Sequence, residues 1–200
     1  MFDINRKVML LIIQCNLMTV VFLGTAVTVS AQNITTDGNG LEKSVSTSVN
    51  ATQHLQSLDW LVGQWELKSD DVHIQCVVDW SQNKNYLISR NRINSPQGRH
   101  IASIHIIVWN PVSELFESYI FCNDGSFGNA IWQRYDDVWQ VSLKMILFNG
   151  ESLTSTEFYT PVENGFTWQS VSRTLNGTPL PEIDTINAVK VQNLKIPEIF

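Results

Sequence analysis

Nine turn signals follow one another between Glu66 and Val191, roughly 13 residues apart, each flanked by stretches rich in β-branched and aromatic residues. They are Asp70-Asp71, Gln82 to Asn85, Ser95-Pro96-Gln97-Gly98, Asn110-Pro111, Asn123-Asp124-Gly125, Asp136-Asp137, Asn149-Gly150, Asn164-Gly165 and Asn176-Gly177. Three of these are Asn-Gly pairs, which supply the positive φ of a tight hairpin turn. Nine such turns in succession predict a meander of about ten antiparallel strands. A sheet that wide, with no helices to cover it, must hide its edges, and closing on itself removes them altogether. The expected fold is therefore all-β: an antiparallel up-and-down barrel of about ten strands.

The segments between the turns support this. Val72 to Val78, Ile101 to Trp109 and Trp139 to Leu147 have strand composition. Trp139, Val141, Leu143, Met145 and Leu147 alternate with Gln140, Ser142 and Lys144, so that strand has one apolar and one wet face. Around residue 105 the alternation blurs. Ile104, Ile106 and Val108 oppose Ser103, His105, Ile107 and Trp109, as expected of a strand covered on both faces. Helical periodicity is convincing only over His54 to Leu61, where Leu55, Leu58 and Leu61 share a side and predict a short helix plugging one barrel end. Ten strands are too few for a propeller, and the Cys, Trp, Cys spacing of an immunoglobulin domain is absent.

Residues 1–31 read as an export signal, with Arg6 and Lys7 before a largely apolar Val8 to Leu23 and Val29-Ser30-Ala31 as a small-residue exit. The expected location is exported, periplasmic or extracellular, with no stable membrane insertion once the signal is cleaved. Residues 32–53, rich in Ser, Thr, Asn, Gly and Gln, read as a flexible linker, and residues 54–195 as one barrel domain. Of 13 Lys and Arg and 19 Asp and Glu, only Arg6, Lys7 and Asp3 precede Gln32. The remainder carries a net charge near −7, which argues against nucleic acid and anionic membranes as partners. Cys76 and Cys122 fall on strands that are not neighbours in a meander, so two small buried hydrophobes are expected in preference to a disulfide.

Just before the first strand runs Leu58-Asp59-Trp60-Leu61-Val62-Gly63-Gln64-Trp65-Glu66. Gly63 lets the backbone turn closely into the barrel, and Trp65 can cover its floor with a large ring. This Gly-x-Trp entry resembles the lipocalin-like, or calycin, barrels. The resemblance implies a tryptophan floor crossed by an arginine from the last barrel strand, for which Arg173 is the matching candidate, with a structural role. Trp109-Asn110-Pro111, Phe116, Ser118-Tyr119, Phe121, Asp124-Gly125-Ser126-Phe127-Gly128, Trp132, Trp168 to Val171 and Gly177 to Pro181 also look like a family of exported bacterial proteins with a lipocalin-like barrel. That resemblance implies the fold and leaves the activity open.

Chemistry is harder to read. His54, His73, His100 and His105 show no metal-ligand spacing, so no metal site is expected. His73 or His105 could ligate haem singly, but a lone strand histidine is more commonly surface or satisfied core, and no cofactor is expected. Ser126 lacks the strand-to-helix elbow of a hydrolase nucleophile, and Asp124 belongs to a turn. Arg90 and Arg92 share a strand face. Facing inward they would hold a carboxylate head group; facing outward they are ordinary solvated cations. Arg134, two residues after Trp132, could serve similarly. Trp109, Trp132 and Trp168 are candidates to line a cavity suited to a flat apolar molecule. No catalytic residue is assigned. The expected function is binding of a small apolar or amphipathic molecule inside the barrel, the alternative being a solid barrel whose surface contacts a protein partner. An enzyme would require Arg90, Arg134, His105 or Glu157 to converge on the interior.

Overall fold

The computed structural model describes residues 47–70, 72–94 and 100–196, and the signal expected over residues 1–31 lies outside them. A helix, α1 (Thr47–Leu55), continues into a 3-10 turn (Gln56–Leu61). The helix expected over His54 to Leu61 thus begins seven residues earlier, inside the stretch read as linker, and its second half tightens to 3-10 geometry. Eleven strands follow among the described residues: β1 (Gly63–Lys68), β2 (His73–Trp80), β3 (Leu87–Asn94), β4 (His100–Asn110), β5 (Leu115–Cys122), β6 (Phe127–Tyr135), β7 (Val138–Ile146), β8 (Ser152–Val162), β9 (Gly165–Leu175), β10 (Thr178–Pro179) and β11 (Ile183–Lys190). All pairings are antiparallel. Strands β1 to β9 pair in sequence, and β11 closes the circle between β9 and β1. Ten strands make the barrel wall, while the two-residue β10 is an extra hairpin arm on β9.

Turn chemistry explains three of the corners. Gly125, Gly150 and Gly177 take φ of 90°, 85° and 80°, and Asn176 one of 50°, so these turns use glycine and asparagine for a left-handed backbone. Gly165 differs. It has no positive φ, and a Cβ placed on it would lie 2.2 Å from the Ala188 carbonyl oxygen. Glycine is needed there because β9 and β11 approach closely where the barrel shuts.

The core runs along the barrel axis. Register places Trp139, Val141, Leu143 and Met145 inside, as their alternation predicts. Leu55, Leu58 and Leu61 are buried and plug the end of the barrel where β1 begins. Beside them Trp65 donates its indole N–H to the Leu61 carbonyl at 2.7 Å and meets Phe166 edge-on at 5.2 Å. This is the tryptophan floor. The cation over its ring is Lys190, with Nζ 5.5 Å from the ring centroid. Arg173, expected in that role, lies toward the opposite end and donates to the Pro181 carbonyl at 2.7 Å. The difference has a simple origin: β11, not β9, is the strand beside β1, with Trp65 opposite Lys190. Cys76 and Cys122 are free thiols. Among the described residues no helix is long and apolar enough to cross a membrane.

Candidate functional site

The barrel is not packed solid. A half-open cavity of about 140 Å³ lies inside it, with Leu67, Ile74, Val78, Ile107, Trp132, Phe166 and Trp168 among its apolar lining. Polar groups enter it from two sides. On β3 and β4 these are Ser89, Asn91, Ser103 and His105, with Cys76 of β2 beside them; on β8 they are Glu157 and Tyr159. Counting around the wall, β3 and β8 are five strands apart in a ring of ten, so the two groups face each other across the axis.

The Glu157 carboxylate accepts the Tyr159 hydroxyl at 3.0 Å and the Trp168 indole N–H at 3.3 Å, both on the same oxygen, Oε2. Burial raises its pKa; the bonds from Trp168 and Tyr159, the charge of Arg173 and a bond from Ser155 work against that. The Tyr159 hydroxyl is held well above its ordinary pKa by burial and by the neighbouring carboxylate, so it stays a donor. On the opposite wall, His105 contacts the Ser103 hydroxyl at 3.1 Å, and burial lowers its pKa to about 4. The imidazole is neutral at pH 7. Burial likewise pushes the Cys76 thiol up to about 12, which removes it as a nucleophile. Ser89 donates to Asn91 Oδ1 at 3.0 Å, and Asn91 Nδ2 is left with no hydrogen-bond partner although the residue is only 8 % exposed. A buried amide N–H without a partner costs on the order of 1–3 kcal/mol, so such groups call for an explanation.

The residues singled out from sequence fall into three places. Trp132 and Trp168 line the cavity. Trp109, Trp132 and Arg134 border a wide external depression of about 680 Å³ at the helix-plugged end, where Trp109 stacks on His54 at 3.8 Å. Arg134 sits 5.8 Å over the Trp139 ring and bonds the Asp136 carbonyl at 2.7 Å. Arg90 and Arg92 pair with Ile104 and Ala102 on the outer face of β3, and Arg90 forms an ion pair with Asp79. Both arginines lie on the face away from the cavity, because closure turns Leu87, Ser89 and Asn91 inward instead. Asn91, like Ser89 and Tyr159, is a site residue that sequence reasoning missed. Its only signal is alternation with Leu87 and Ser89, which is no more apolar than the face bearing Tyr86, Ile88, Arg90 and Arg92.

Among the described residues no group of three His, Cys, Asp or Glu side chains could hold a metal ion. No protein-family model matches the chain, and no curated protein matches its sequence.

Proposed function

We propose that this chain is an exported, lipocalin-like barrel whose interior binds a small amphipathic molecule. The observation that carries the reading is the internal cavity, apolar along its length and supplied with hydrogen-bonding groups at opposite walls. Such a mixture is the usual composition of a small-molecule site. Its size narrows the ligand. Drug-sized ligands occupy roughly 300–1,000 Å³, whereas a cavity of about 150 Å³ holds a benzene-sized ring, so the 140 Å³ inside the barrel gives room for one ring. Export is supported by the Arg6-Lys7 start, the apolar run to Leu23 and the Val29-Ser30-Ala31 exit. Native mass spectrometry and tryptophan fluorescence titration, with single-ring compounds beside a lipid and haem panel, test the binding reading. Retention of a one-ring compound supports it, and an interior that takes up none of them removes it.

A second reading rests on the outer wall. Tyr119, Phe121, Phe127 and Ile131 are exposed on adjacent strands β5 and β6, an apolar surface of the kind that meets protein partners. Light scattering across a dilution series tests it in its simplest form, self-association: a mass that stays monomeric throughout speaks against a second copy on that face.

A further inference from the structure

The cavity is polarised, and its two polar walls differ in what they offer. Asn91 Nδ2 is an N–H donor with no partner in the protein. Its Oδ1 accepts the Ser89 hydroxyl at 3.0 Å, which leaves the amide donor over. Across the axis, Glu157 presents a carboxyl whose Oε2 is occupied by Tyr159 and Trp168, and this network holds the group in one orientation. The rest of the lining is apolar and includes Val78, Ile107, Phe166 and the rings of Trp132 and Trp168. A ligand that satisfies this arrangement needs an acceptor toward β3, an apolar body, and a donor toward β8.

We infer that the cavity selects an uncharged single-ring molecule with a carbonyl-type acceptor at one end, bonded by Asn91 Nδ2, and a hydroxyl at the other, bonded to Glu157. The inference rests on the binding reading above and specifies its ligand class. The physical basis is the asymmetry of buried hydrogen bonds: a donor that stays unpartnered in the empty protein gains a full bond on binding, while a ligand lacking the acceptor leaves it orphaned. An anionic ligand is disfavoured because it would carry its charge out of water into this largely apolar interior beside the Glu157 carboxyl, with which Arg173 already interacts.

Calorimetric titration of the intact protein with toluene, phenol, benzaldehyde, 4-hydroxybenzaldehyde and 4-hydroxybenzoate tests this directly. The expected order has 4-hydroxybenzaldehyde tightest, at least tenfold above toluene, and 4-hydroxybenzoate weakest. In Asn91→Leu the preference for the aldehydes over their carbonyl-free counterparts collapses. In Glu157→Gln, 4-hydroxybenzaldehyde loses more affinity than benzaldehyde. Toluene binding as tightly as 4-hydroxybenzaldehyde overturns the inference and leaves the binding reading standing. So does an aldehyde preference that survives in Asn91→Leu. Failure of every ring compound overturns the inference, and failure of the lipid and haem panel as well removes the binding reading. The comparison of ligands on the unaltered protein decides the matter even where a variant does not fold.

Discussion

His105 and Glu157 are both titratable groups turned into a closed barrel, and burial moves them so that each favours its neutral form. The consequences for stability have opposite signs. The folded pKa of His105 is depressed to about 4, so its contribution is complete above about pH 6.5 and is lost as pH falls toward 4. A displacement of that size corresponds to an effect on the order of 3 kcal/mol. Glu157 has a raised folded pKa, so its contribution is complete below the ordinary carboxylate range and is lost as pH rises through the folded value. Cys76, Tyr159 and Arg173 also bear on this interior, but Cys76 and Tyr159 are displaced upward, away from the acid range, and Arg173 remains charged throughout it. Urea unfolding at pH 4.5, 6 and 8 should therefore show His105→Gln flattening the acid limb, and Glu157→Gln gaining stability relative to the parent at pH 8 more than at pH 4.5. An acid limb unchanged in His105→Gln would rule out the histidine as its source.

At the scale of single elements, glycine positions separate two kinds of demand that look alike in sequence. Asn149-Gly150 and Asn164-Gly165 are the same dipeptide, yet Gly150 serves a left-handed turn in open space while Gly165 makes room for a backbone. Alanine at 165 would force β9 from β11 beside Trp65, an overpacking worth about 1–3 kcal/mol. At 150 alanine meets no atom within 4 Å and carries only the conformational cost, roughly 1 kcal/mol. Chemical denaturation of the two variants should rank Gly165→Ala as the more destabilised. The turn pattern was legible because φ requirements are local. The close approach was not, since it depends on a strand 23 residues away, Ala188 against Gly165. The same reason explains the cation over Trp65. A hairpin meander reveals which strands are consecutive, but the short arm β10 leaves β11 to close the barrel, so Lys190 and not Arg173 reaches the ring.

The whole barrel depends on one plugged end. Leu55 and Leu58 are fully buried and Leu61 nearly so, although all three lie outside the sheet. Leu58→Ala should cost about 2–5 kcal/mol, as large-to-small changes in a core do. Calorimetric melting gives the measurement, and a loss below 1 kcal/mol would show that the plug is dispensable.

Strand number, antiparallel order, the leucine plug and the tryptophan floor were determined by the sequence alone, because turn chemistry, alternation and helical spacing act over a few residues. The tertiary structure alone decided which face of β3 and β8 looks inward. Both faces of those strands mix polar and apolar side chains, so their burial is set by the neighbours that closure brings around them. The cavity, its unpartnered Asn91 amide and the opposed Glu157 carboxyl follow from that choice.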